Sequence, residues 1–350
     1  MTRCTPNERH RGITMVEVLI GVLLLVVVVA AAVPSLATVG CTSFRAQSKA
    51  NLAALSQAHA AYAADWGQRQ YTMTPDNVGL YAGCTNYTGA GNCIPDVSFG
   101  TDCNGVQVGL PIGCGPTANC TNFETAKPMN FSGANKGFGS YRIPNGAGFQ
   151  PYVDGRFYSS TFYAPDDEAI IGQVEPFFAS PCSYAGDPAA PIYSSYCNSP
   201  AAMWGLGVLK KQTGYKSPDV LADGYASPAV TACVYPNLKT RMMELRAVDS
   251  PCFATQAECS EFWFHHKYEA RSLGLLFDGS VRIISPREAM ESDLRVRSTS
   301  PAMAEKGLWV RGTPLGPNGV FGELAYDFLV HTNFHFLTGD GIAGRDVIEW

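Results

Sequence analysis

Hydrophobic and polar positions divide the chain into segments of different character. Over residues 13–33 the chain is apolar, with Thr14 and Glu17 the strongly polar exceptions. As a helix, those 21 residues span a bilayer core of about 30 Å. After Pro34 and Ser35 the pattern turns amphipathic. Phe44, Ser48, Leu52, Leu55, Ala58/His59, Tyr62 and Trp66 recur three or four apart, while Arg45, Gln47, Lys49, Asn51, Gln57 and Asp65 mostly lie off that stripe. This predicts a helix over 35–67 that packs one face on a folded head, with Gly67 as its C′ stop. Pro34 removes one intrahelical hydrogen bond and predicts a kink between the two halves.

Residues 68–200 hold no helical period. They are rich in Gly, Pro, Asn, Ser, Thr, Tyr and Cys, with short strand candidates at 105–110, 156–163 and 169–174. They read as a loop-rich insertion on the head. The sharpest local signal follows later. Leu273-Gly274-Leu275-Leu276-Phe277, Asp278-Gly279 and Ser280-Val281-Arg282-Ile283-Ile284 predict a β-hairpin with a two-residue turn at Asp278 and Gly279, both at positive φ. Ser285-Pro286-Arg287-Glu288 then carries the cap signals of a short helix over 286–296. Further strands are expected at 308–311, 323–329 and 331–337. The fold class is α+β: a long N-terminal helix on an antiparallel sheet, with a large disulfide-rich loop insertion. The divisions fall at 1–12, 13–34, 35–67 and 68–350.

Glu17 changes the reading of the apolar run. A carboxylate within a span costs about 2.5–3.5 kcal/mol on insertion scales, so it needs a partner or a shallow place. Directly before the run stands Gly12, preceded by a polar leader with Arg3, Arg9 and Arg11. The stretch Gly12-Ile13-Thr14-Met15-Val16-Glu17, with the apolar run behind it and Pro34 beyond, resembles the N-terminus of type IV prepilins and type II secretion pseudopilins. The family usually has Phe at the position of Ile13 and Leu at that of Met15. The resemblance implies cleavage by a prepilin peptidase between Gly12 and Ile13, N-methylation of Ile13, and pairing of Glu17 with the N-terminal amine of a neighbouring subunit during assembly. A second feature is similar to prepilin-like proteins abundant in planctomycetes: a histidine, here His266, upstream of an apolar strand ending in Asp278-Gly279-Ser280-Val281. The gap between them is longer here than in that family.

Composition narrows the setting. Without residues 1–12, 22 basic residues face 29 acidic ones, a net charge of −7, so nucleic-acid binding is not expected. The basic leader predicts a cytoplasmic N-terminus and an extracytoplasmic head by the positive-inside rule. Ten cysteines lie beyond Cys4 and Cys41; five crowd into 84–120, and none forms C-x-x-C. That favours disulfide-stapled loops in an oxidising compartment over zinc chemistry, with most of the ten paired.

Candidate catalytic chemistry is sparse. No P-loop, G-x-S-x-G or G-x-G-x-x-G stands in a strand–helix setting. Asp166-Asp167-Glu168 reads as a solvated turn. His331 and His335 lie four apart without the glutamate of a zinc helix. No cofactor is expected; the one cation with a foothold is calcium, for which Gly339-Asp340-Gly341 and Asp346 offer loop oxygens, as in some major pseudopilins. The expected role is a structural, non-enzymatic subunit of a type IV pilus-like or type II secretion pseudopilus filament. Its partners would be itself or other pilin-like subunits, the prepilin peptidase and an inner-membrane assembly platform. The rival is a membrane-anchored extracytoplasmic binding module that does not polymerise.

Overall fold

The computed structural model describes residues 43–73, 96–111, 126–130, 139–210, 214–244, 272–284 and 335–347. The expectations on Gly12, Ile13, Glu17, Pro34, His266, the helix at 286–296 and the strands at 308–311 and 323–329 fall outside these residues. No helix among the described residues is long and apolar enough to cross a membrane. The chain divides into two units, Met1–Ala46 and Gln47–Trp350; the second is the head.

Helix α1 is described from 43 to 65. The stripe read from the sequence is its inner face from Ser48 to Tyr62, where Ser48, Leu52, Leu55, Ala58, His59 and Tyr62 are all buried; Phe44, expected on the stripe, is exposed, and Asn51, expected off it, is buried. Burying each of the larger apolar side chains contributes about 1.5–3 kcal/mol. The helix stops as its chemistry dictates. Gly67 takes φ 62, and Gln68 N–H reaches back to the Ala63 carbonyl at 2.6 Å. That is the six-to-one bond of a glycine-centred helix terminus.

Two strands follow, β1 (Asp96–Thr101) and β2 (Gln107–Pro111), paired antiparallel. The connecting loop is held by Asp102, whose Oδ1 accepts from the N–H groups of Asn104 and Val106 at 2.8 Å each. Cys103 in that loop is bonded to Cys182. A short helix, α2 (Glu168–Val174), comes next. Strand β3 (Tyr196–Asn198), the small pair β4 (Leu209–Lys210) and β5 (Gly214–Tyr215), then β6 (Thr240–Glu244), β7 (Ser272–Leu276) and β8 (Val281–Ile284) are the remaining strands among the described residues. The main sheet is four-stranded and antiparallel, in the order β3-β6-β7-β8. The α+β expectation holds in the head.

The core lies between α1 and one face of this sheet, where Leu52, Leu55, Ala58 and Tyr62 join Tyr196, Met242, Leu273 and Leu275. The loop-rich stretch is no shell around that core. Phe99, Phe149, Phe157, Phe162, Tyr163 and Tyr184 belong to the same cluster. Their rings pack at centroid distances such as 5.1 Å for Phe99–Phe157 and 5.2 Å for Phe157–Tyr184, a range favourable for aromatic pairs. Asn51 of α1 secures this layer by donating Nδ2 to the carbonyls of Ser160 and Tyr163.

Several local expectations are corrected. The 105–110 candidate is β2, but 156–163 is not a strand. Phe157, Tyr158 and Ser159 are buried in succession and then Phe162, Tyr163 and Ala164, without alternation; a single 3-10 turn, Ser160–Phe162, lies between them. The 169–174 candidate is helical, as α2. Ile170, Ile171 and Val174 face the core together, a spacing that one helical face supplies and a strand cannot. Asp167 is buried at the N-cap of α2 and not solvated. The hairpin is present, with Leu275 opposite Val281, but its turn is wider than two residues. Only Gly279, at φ 86, has positive φ. Leu276 N–H bonds to the Ser280 carbonyl and Gly279 N–H to the Leu276 carbonyl, the pattern of a three-residue loop with a glycine bulge. Asp278 stays out of the left-handed region because its Oδ1 accepts from Ser280 N–H and Oγ–H, closing a side-chain turn instead.

Candidate functional site

The densest polar chemistry in the described residues lies on the other face of the main sheet, and it begins with an irregularity in β6. Thr240 pairs with Leu276 and Met242 with Leu275, so Arg241 is an extra residue, a β-bulge. Directly paired residues project to the same side of a sheet. Leu275 and Met242 face α1; Leu276 and Thr240 therefore face away. Cys197 on β3, paired with Met243, lies on that away side too.

The C-terminal segment covers this side. Asp346 and Val347 N–H groups bond to the Leu238 carbonyl at 2.9 and 3.0 Å. The Asp346 carboxylate accepts from five donors: Lys239 Nζ at 2.7 Å, Thr240 N–H at 3.0 Å, Thr240 Oγ1 at 2.5 Å, His335 N–H at 2.9 Å and Thr338 Oγ1. His335 holds a left-handed backbone, φ 63. Beyond its N–H bond, its carbonyl accepts from Ser199 Oγ at 2.5 Å, and its ring lies between Thr240 Oγ1, 2.9 Å from Nδ1, and Cys197 Sγ, 3.5 Å from Nε2.

Counting protons assigns the state of each group. Ser199 spends its hydroxyl hydrogen on His335 and Thr338 spends its own on Asp346, so both oxygens accept from Lys239 Nζ, at 3.0 and 2.8 Å. With the Asp346 bond, Nζ supplies three hydrogens and is an ammonium. Thr240 gives its single hydrogen to Asp346, so it accepts from His335 Nδ1–H. Nε2 is then bare and receives the Cys197 thiol hydrogen. The result is a directed chain, Cys197 to His335 to Thr240 to Asp346, closed by the Lys239–Asp346 ion pair.

Burial sets the electrostatics. Cys197, Lys239, Thr240 and His335 are fully buried, as is the Asp346 side chain. Burial, reinforced by the nearby Lys239 charge, lowers the His335 pKa to about 3. Burial drives the Cys197 thiol far above its ordinary range. Burial alone would raise the Asp346 pKa, but Lys239 and the surrounding hydroxyls outweigh it and hold the carboxyl ionised. A cysteine–histidine pair becomes a nucleophile when the thiolate is favoured and reachable. Here both groups are neutral and sealed. The arrangement is a lock between β6 and the C-terminal segment.

Of the residues singled out from the sequence, His335 and Asp346 meet in this network. Asp278 and Gly279 lie beside it: Phe277 N–H bonds to the Lys239 carbonyl and Asp278 N–H to the Pro236 carbonyl. His331 is outside the described residues. Asp346, expected to offer oxygens to calcium, has both oxygens engaged by protein donors, and Lys239 supplies the positive charge. Among the described residues no group of three or more His, Cys, Asp or Glu side chains is arranged to hold a metal ion. Sequence reading missed Lys239, Thr240, Ser199 and Cys197. The one available signal was Lys239-Thr240-Arg241, polar residues abutting the apolar pair Met242-Met243. Of the four described head cysteines, Cys103 and Cys182 are bonded and Cys197 and Cys233 carry free thiols; the other six fall outside the described residues.

No family model matches the chain, and neither a curated protein nor a solved structure does.

Proposed function

We propose that the chain is a structural subunit of a type IV pilus-like or type II secretion pseudopilus filament, cut between Gly12 and Ile13 by a prepilin peptidase. The observation that carries this reading is the leader-glycine-apolar sequence from Arg11 to Val33, with Glu17 as its single acidic residue. Two features of the head support it. Helix α1, later in the sequence, is amphipathic and lays its apolar face on an antiparallel sheet. The Cys103–Cys182 bridge suits an extracytoplasmic compartment. The sealed state of the Cys197–His335 pair favours a structural role over an enzymatic one.

In this reading residues 13–34 cross the bacterial inner membrane with the N-terminus in the cytoplasm and the head outside. The subunit then enters a periplasmic or cell-surface filament through helix–helix packing with itself or other pilin-like subunits, on an inner-membrane assembly platform. Cleavage creates an amine at Ile13, about one helical turn from Glu17. Its pairing with a neighbour's Glu17 offsets the burial of both charges and fixes the stagger between subunits. N-terminal sequencing and intact mass of the mature chain test the proposal. A start at methylated Ile13 supports it, and a chain retaining Met1 favours the non-polymerising anchored module.

A further inference from the structure

A second buried polar cluster lies where the end of α1 meets β3 and β6, and its chemistry is not self-contained. His59 of α1 is fully buried, and neither ring nitrogen has a hydrogen-bond partner. Gln70, just beyond α1, accepts from Arg241 Nη2 through Oε1 at 2.7 Å. That bond fixes the amide orientation and leaves Nε2 as an unbonded donor. Asn198, at the end of β3, has both amide atoms unbonded. Arg241, the bulged residue of β6, is 4% exposed and leaves Nε unbonded.

Each of these residues is linked to another of the four: Gln70 is bonded to Arg241, and Asn198 and the Arg241 charge both lie near His59. Asn198 is paired with Met242, the residue after Arg241, and Ser199 N–H bonds to the Arg241 carbonyl. The Arg241 charge reaches His59 and, after burial, contributes to lowering its pKa; Asn198 lies close to the ring without a bond of normal geometry. Phe149, 4.5 Å from the His59 ring, and Phe277, under the Arg241 guanidinium at 5.0 Å, supply apolar walls.

The bulge accounts for the placement. By adding one residue between Thr240 and Met242 it lets Arg241 leave the register with β7 while its neighbours stay paired there. The cluster carries the guanidinium's positive charge, and among the described residues no carboxylate forms an ion pair with it. An isolated buried charge is strongly unfavourable. The unused donors are Arg241 Nε–H, Gln70 Nε2–H, Asn198 Nδ2–H and one His59 N–H. They outnumber the unused acceptors, Asn198 Oδ1 and the other His59 nitrogen. A surplus of N–H donors around one positive charge selects for an anion, and the burial of all four side chains selects for a small one.

We propose that His59, Gln70, Asn198 and Arg241 bind a single monovalent anion of chloride size, which ties the C-terminal end of α1 to β3 and β6. The site stands apart from the filament reading and is tested separately. The full-length chain in detergent is melted at constant ionic strength while chloride replaces gluconate, an anion too large for the site. The melting temperature is expected to rise by several degrees over a hundredfold increase in chloride, because a ligand that binds only the folded state stabilises it by mass action. Arg241→Gln is expected to abolish the response. In crystals grown from bromide, an anomalous peak is expected within hydrogen-bond distance of Arg241. Should Arg241→Gln fail to fold, that peak in the unaltered chain decides. Melting indifferent to chloride, a response that persists in Arg241→Gln, or a buried water with no anomalous signal at the cluster would overturn the proposal.

Discussion

Thr240 and Met242 are two residues apart in one strand yet project to opposite faces of the main sheet. In a regular strand they would share a face. The extra residue Arg241 separates them, so Met242 joins the α1 core while Thr240 meets His335 and Asp346. One irregularity thus serves both sides of the sheet: apolar packing on one, the C-terminal lock on the other.

The lock predicts a graded response at Thr240. Thr240→Val removes the hydroxyl between His335 Nδ1 and Asp346 and leaves a buried N–H without an acceptor, at a cost of about 1–3 kcal/mol. Thr240→Ser restores most of it. Urea unfolding midpoints of the three proteins measure the difference, and equal midpoints would show that the bond chain contributes nothing.

Asp346→Ala is expected to be more damaging. It leaves the Lys239 ammonium buried without its counter-charge, an effect of about 3–5 kcal/mol for a broken buried pair. Combining it with Lys239→Met should recover part of the loss, because the orphaned charge is then gone. A double-mutant cycle on unfolding free energies gives the coupling.

Acid should weaken the head well before its carboxylates titrate. His335 and His59 are both held below the ordinary value of 6.5, His335 at about 3, with burial the leading cause. A group with a lowered folded pKa contributes stability that is fully present above its unfolded pKa and is lost as pH falls toward the folded one. Stability should therefore decline from about pH 6.5 down to about pH 3. Unfolding midpoints taken across that range test the slope, and a flat profile from pH 7 to pH 4 would contradict the buried neutral imidazoles.

Thiol reactivity should separate the four described head cysteines. Cys233 is partly exposed, and burial raises its pKa only to about 11; Cys197 is sealed and higher. Alkylation of the native chain should label Cys233 before Cys197. Cys103 and Cys182 should react only after reduction. Peptide mapping reads the order, and early labelling of Cys197 would mean that the lock opens.

Local patterns were legible in the sequence where local chemistry decides the conformation. The α1 stripe from Ser48 to Tyr62 follows from spacing, though not the exposed Phe44 or the buried Asn51, and Asp278-Gly279 marks the hairpin even though its turn is one residue wider than predicted. Residues 156–163 and 169–174 misled because aromatic and β-branched side chains favour strands in isolation. The backbone of 156–163 is instead tied to distant partners, such as the Ser183 carbonyl bonded to Phe157 N–H, while 169–174 closes local helical bonds, such as Ile171 N–H to the Asp167 carbonyl. The lock was hidden for the same reason. Cys197 and His335 are 138 residues apart and Thr240 and Asp346 are 106 apart, and nothing near any of them in the chain announces its partner.

The filament role is tested most directly on cells expressing the chain, by shearing surface filaments and identifying this subunit in them by mass spectrometry, with Glu17→Ala in parallel. The mature chain beginning at Ile13 is expected in sheared filaments, and Glu17→Ala is expected to insert in the membrane normally but to be lost from the filaments. Failure to find the chain in any filament, or normal filament yield from Glu17→Ala, would contradict that role.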